Sequence, residues 1–160
     1  MLKYVDTLVA FSEVPDEISL CINISNCSHK CAGCHSPWLQ KDIGEELTET
    51  VLDSLIKEND GITCVCFMGG DCDLPRLHTL GEYVKNHYGL KIAWYTGLDF
   101  TVHDISRPLL ELFDFIKTGK YIEAFGSLTS RTTNQRFYAK LNKLDASPNR
   151  FYDITDRFWG

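Results

Sequence analysis

No stretch of the 160 residues is apolar for long enough to span a bilayer, and the start, Met1-Leu2-Lys3-Tyr4-Val5-Asp6, lacks an apolar run behind a basic one. A membrane protein and a signal-led secreted protein are therefore not expected; a cytoplasmic location is. Basic runs are missing too. The net charge is -6, the pI is near 5.3 and no RNA-binding signature occurs, which argues against a nucleic-acid partner and for a protein partner or a small ligand. No internal repeat, linker or low-complexity stretch divides the chain, so residues 1–160 are expected to form one domain, and 44% apolar residues suffice for its core. No obvious general acid-base pair stands out. The seven cysteines are an odd number, and the cytosol keeps thiols reduced, so a disulfide framework is not expected. The two separated cysteine pairs usual for structural zinc are also absent.

What is present is a triplet of thiols within eight residues, in Asn26-Cys27-Ser28-His29-Lys30-Cys31-Ala32-Gly33-Cys34-His35-Ser36-Pro37. The alternating run Ile18-Ser19-Leu20-Cys21-Ile22-Asn23-Ile24 precedes it and predicts a strand, so the C-x3-C-x2-C triplet is expected in a loop at that strand's end. Thiolates this close repel one another and are reactive, and a reduced chain that keeps three together most often gives them to a metal. Cubane iron-sulfur clusters are usually held by four cysteines, so three would leave one iron open to another ligand. A zinc knot or three unrelated thiols are the bland alternatives.

The spacing resembles that of the radical S-adenosylmethionine (SAM) enzymes, and Cys31-Ala32-Gly33-Cys34-His35-Ser36-Pro37 is similar to the activating proteins of anaerobic ribonucleotide reductase. Most of that superfamily has an aromatic residue before the third cysteine. Gly33 stands there instead, as it does in the activase group. The resemblance implies Cys27, Cys31 and Cys34 on three irons of a 4Fe-4S cluster and SAM on the fourth, with Gly33, Cys34 and His35 among the SAM contacts. It implies reduction by a low-potential donor such as a flavodoxin or ferredoxin, one-electron cleavage of SAM to methionine and a 5'-deoxyadenosyl radical, and hydrogen removal from a glycine of the reductase large subunit. The cofactor would carry the hard chemistry and the protein would orient it.

Along the chain, residues 2–11 read as a β segment and 45–57 as an amphipathic helix stopped by Asn59-Asp60-Gly61. Ile62-Thr63-Cys64-Val65-Cys66-Phe67-Met68 reads as a strand buried on both faces, with Cys64 and Cys66 as core thiols. Gly69-Gly70-Asp71 follows it. By itself this is an ordinary turn signal; in this place it resembles the Gly-Gly-Glu/Asp element that binds the amino group of SAM, where a missing Cβ lets the backbone come close. A helix over 74–88 ends at Gly89, and 90–97 forms a third strand whose Tyr95-Thr96-Gly97 ending is similar to a segment of the activases, a resemblance that implies Thr96 among the SAM contacts. A weaker helix over 101–113 carries Pro108, and 113–121 supplies a fourth strand and turn. Strands alternating with helices predict a parallel sheet with its site at the strands' C-terminal ends. Four clear strands are too few for a complete eight-stranded barrel. The expected fold is therefore α/β, a partial, open parallel (β/α) barrel of the radical SAM type.

From Gly126 the texture turns polar, and 137–141 with 150–155 predict a C-terminal β-hairpin. Thr133-Asn134-Gln135-Arg136 resembles an element near the end of the same activases, and Arg131, Asn134 and Arg136 are the candidates for a docking or site-closing surface. The Gly-Pro-Gly-x-Arg element that many activases carry is absent at Val14-Pro15-Asp16-Glu17. Two rivals stay open: an activase of another glycyl-radical enzyme or a small radical SAM enzyme, and a non-catalytic iron-sulfur or zinc module.

Overall fold

Apolar residues alternate along the central strands, and that alternation decides which face the helices cover. The computed structural model describes residues 1–26, 37–98, 104–140 and 151–159. Its strands are β1 (Lys3–Ala10), β2 (Ser19–Ile24), β3 (Glu45–Glu46), β4 (Cys64–Met68), β5 (Lys91–Tyr95), β6 (Phe115–Thr118), β7 (Arg136–Lys140) and β8 (Phe151–Asp153). They form one sheet in the order β3-β1-β2-β4-β5-β6-β7-β8. The inner four, β2-β4-β5-β6, are parallel, as expected, and the pairs outside them are antiparallel. The sheet is thus mixed, and among the described residues no pairing joins β3 to β8. The expected hairpin is present as the antiparallel pair β7–β8.

Three helices, α1 (Glu49–Glu58), α2 (Leu74–Tyr88) and α3 (Arg107–Leu112), pack on one face of the sheet among the described residues. Leu20, Ile22, Val65, Phe67, Ile92, Trp94 and Ile116 point to them. Trp94 is fully buried and stacks on Phe113 at 5.6 Å between ring centroids. Such a pair adds about 1 kcal/mol to its area burial. The alternate residues, Cys21, Cys64, Cys66, Ala93 and Phe115, face the other way, into a second cluster closed by Val14, Leu128 and Phe137.

Two helix starts differ from the sequence reading for local reasons. Glu45 and Glu46 pair with Tyr4 and Lys3 as a short strand, and α1 begins only after Thr48, whose hydroxyl accepts from Val51 N at 3.2 Å. α3 begins at Arg107, which puts Pro108 in the first turn, where its missing N–H costs no helical hydrogen bond. Residues 101–103 of that expected helix lie outside the described residues. α2 covers the expected span, with Asp73 as its N-cap accepting from Arg76 N at 3.2 Å.

Cys64 and Cys66 are fully buried, as expected of core thiols. Burial pushes the Cys64 thiol up to about 12 and the Cys66 thiol up as well, so neither supplies a thiolate near neutral pH. Cys64→Ala is expected to cost on the order of 1 kcal/mol, read as a lower urea midpoint at unchanged slope, and to leave bound iron unchanged. Loss of iron in that variant would move the metal site onto this strand.

Candidate cofactor site

The turns that follow β4, β5 and β6 at their C-terminal ends are tied to one another. After β4, Gly69 N donates to Tyr95 O at 3.0 Å, and the Trp94 indole N–H donates to Gly69 O at 3.1 Å. Asp71 Oδ2 accepts from Gly97 N at 3.2 Å, which joins the first turn to the second. Thr96 N donates to Lys117 O at 2.9 Å and Gly119 N to Leu98 O at 2.8 Å, which joins the second to the third. The structure therefore brings Gly69, Gly70, Asp71 and Thr96 together. Thr96 is buried, and its hydroxyl accepts from Leu98 N at 3.1 Å, so its side chain shapes the turn.

Gly69 and Gly70 have φ of 115° and 101°, which favours glycine at both positions. A Cβ on Gly69 would lie 3.3 Å from Ile24 O, and one on Gly70 would lie 3.2 Å from Leu77 Cδ1. What these glycines keep clear is thus the end of β2 and the flank of α2. The Gly69 and Gly70 carbonyls accept from Trp94 and from Asp73 N (3.2 Å), each leaving a second lone pair.

Ile24 is also where the chain approaches the cysteine triplet. Asn26, with φ of 60°, donates from its backbone N to Lys41 O at 2.9 Å, so the residues flanking 27–36 are held together at the end of β2, beside the β4 turn. Cys27, Cys31 and Cys34, with Gly33 and His35, lie outside the described residues. Among the described residues no three His, Cys, Asp or Glu side chains are placed to hold a metal ion. Cys72, directly after the Gly-Gly-Asp turn, is exposed.

On the face away from the helices the strand ends form a row in register, Asn23, Met68, Tyr95 and Lys117. Above it opens a cavity of about 740 Å³, lined by Met68, Tyr95 and Lys117 together with Gln135, Leu128 and Phe158. That volume is in the range of cofactor and small-ligand sites. Lys117 is 8% exposed; its ammonium donates to Thr96 O at 3.1 Å and Gly119 O at 2.9 Å and sits 5.6 Å from the Tyr95 ring centroid. Burial raises the Tyr95 phenol well above its ordinary value, and its hydroxyl donates to Glu13 O. Sequence reasoning missed Lys117 and Gln135. The signal was present: a lysine inside the apolar run Phe113-Asp114-Phe115-Ile116-Lys117 must place its charge in a core or in a site.

The residues expected to dock a partner or close the site each have a contact within the chain. Arg131 is exposed and lies 5.9 Å from the Trp159 ring, Arg136 pairs with Asp153 at 3.7 Å, and Asn134 donates to Lys120 O at 3.0 Å.

The parallel core, the tied turns and the cavity over Met68, Tyr95 and Lys117 define an α/β protein with a candidate ligand site at the strand ends. The chain belongs to the 4Fe-4S single cluster domain family, whose pattern matches residues 18–138, from β2 through β7. No curated protein and no solved structure matches it significantly. The match supports iron-sulfur binding, and among the described residues no helix is long and apolar enough to cross a membrane.

Proposed function

We propose that this protein is a radical SAM activase that generates a glycyl radical on the large subunit of anaerobic ribonucleotide reductase. The observation that carries the reading is the junction of three things at one edge: the end of β2 leading to the cysteine triplet, the Gly69-Gly70-Asp71 turn packed against Ile24, and the cavity over Met68, Tyr95 and Lys117. The donor set fits a 4Fe-4S cluster. Three thiolates from Cys27, Cys31 and Cys34 would leave one iron for SAM, and the described thiols that burial holds protonated do not compete. In this reading the parallel core β2-β4-β5-β6 is the partial barrel of the superfamily.

A 4Fe-4S cluster held by Cys27, Cys31 and Cys34 would supply, when reduced, the one-electron chemistry that cleaves a carbon-sulfur bond of SAM. The chain's own residues bind and orient. In this reading the second lone pairs of the Gly69 and Gly70 carbonyls, beside the cavity and not in its lining, would accept from the amino group of SAM, and the Lys117 ammonium at the cavity wall would offer a positive charge to a carboxylate. Met68, Leu128 and Phe158 give the cavity an apolar lining that keeps water from the reacting centre. The open side of the sheet faces the partner, a low-potential flavodoxin or ferredoxin supplies the electron, and a glycine of the reductase presents the Cα hydrogen.

The test uses anaerobically reconstituted, reduced protein with SAM, with and without the reductase large subunit. The expected result is slow deoxyadenosine release alone and an electron paramagnetic resonance doublet with the reductase, which collapses when the glycine Cα is deuterated. Cleavage with a radical on a different glycyl-radical enzyme would retain the chemistry and reassign the partner. A cluster whose spectrum is indifferent to SAM would leave an electron-transfer module.

A further inference from the structure

Thr133, Asn134 and Gln135 all point inward, toward the turn that follows β6. Gln135 is 7% exposed, and its amide donates to Gly119 O at 3.2 Å, the same carbonyl that accepts from Lys117 Nζ at 2.9 Å. Asn134 donates to Lys120 O at 3.0 Å, one residue further along the turn. Thr133 Oγ1 accepts from Gln135 N at 3.0 Å and donates to Gly126 O at 3.3 Å, so the segment is fixed at both sides. The two segments touch closely: a Cβ on Gly119 would lie 3.2 Å from Gln135 Cα.

We infer that Asn134 and Gln135 are positioning residues that hold the Gly119–Lys120 turn and, through the Gly119 carbonyl, seat the Lys117 ammonium at the cavity wall for an anionic group of the ligand. Two donors converging on one carbonyl locate it more tightly than either alone, and a buried ammonium whose acceptor moves loses both its direction and part of its compensation for leaving water. The polar segment Thr133–Gln135 therefore acts on the ligand site from inside the fold, where the sequence reading offered a docking or site-closing surface. Its consequence for SAM rests on the proposed function; the seating of Lys117 does not.

The experiment has two readouts on Gln135→Met, which keeps the bulk and removes the donating amide. Lys117 is first compared with exposed Lys57 for acylation by a water-soluble amine reagent, located by mass spectrometry in the folded holoprotein. Acylation of Lys117 relative to Lys57 is expected to rise at least severalfold over wild type. Unchanged acylation overturns the inference, whatever the ligand proves to be. The second readout is affinity for SAM and for decarboxylated SAM. An acceptor shifted away from a charged donor should weaken SAM binding by about tenfold, with decarboxylated SAM nearly unaffected, and Lys117→Met should show the same split without adding to the loss in the double variant. Equal weakening of both ligands would mean a merely structural role. Wild type that binds neither ligand would overturn the SAM reading and leave acylation to decide the inference. Asn134→Ala, at a half-exposed position, supplies a second variant with the same expected acylation change if Gln135→Met does not fold.

Discussion

Replacing Cys27, Cys31 or Cys34 by alanine, one at a time, is expected to leave reconstituted protein without a 4Fe-4S cluster and without SAM cleavage. In the proposed assignment each thiolate is the sole protein ligand of its iron, so no remaining ligand of the same set can stand in. The other four cysteines are poor substitutes for stated reasons. Cys21, Cys64 and Cys66 are buried in the sheet, and burial raises the thiols of Cys64 and Cys66. Cys72 is exposed, but burial of its sulfur and the nearby carboxylates also raise its thiol. Cys72→Ala is the control and should retain full iron. Iron and sulfide content with the visible absorption of the anaerobic protein reads the outcome. A complete, SAM-responsive cluster in any single triplet variant would remove that cysteine from the ligand set.

Gly70→Val is expected to lower both stability and SAM affinity while leaving the iron content intact. At φ of 101° a β-branched residue is strained, which costs on the order of 1–3 kcal/mol. Its Cβ would also press on Leu77 Cδ1 at 3.2 Å, in a fully buried part of α2, and overpacking adds a similar amount. A loss of about 3 kcal/mol is a large fraction of the stability of a domain this size. Relief comes from a small displacement of the Leu77 side chain or from a shift of the turn, which at a strained φ also moves Asp71, tied to Gly97 N. SAM affinity should therefore fall at least tenfold, about 1.4 kcal/mol. Gly70→Ala, with the same positive φ but one methyl against Leu77, should lose less of both. Unaltered SAM affinity in a folded, cluster-bearing Gly70→Val protein would show that this turn has no part in binding SAM.

The strand and helix pattern was written in local sequence. Alternation along 18–24 and 62–68, helical spacing over 74–88 and glycine turns after the strands are all short-range signals, and a parallel sheet with its turns at one edge follows from their order. Thr48 and Pro108 were equally visible and mark the true starts of α1 and α3; the sequence reading extended both helices past them because apolar spacing continues upstream. The cysteine triplet and the iron-sulfur binding that the family match supports also needed no structure, since residue type and spacing are covalent facts. Three matters were decided only by tertiary packing. Glu45 and Glu46 become a strand because β1 offers an edge there, and no local preference predicts partners as distant in sequence as Tyr4 and Lys3. The glycines at 69 and 70 meet Ile24 and Leu77, contacts set by where β2 and α2 lie. Lys117 and Gln135 meet at one carbonyl because β6 and β7 pair antiparallel, so the turn after β6 lies against the entry to β7. A buried lysine can be read from a chain; the group that aims it depends on which strands become neighbours, and that choice belongs to the whole sheet.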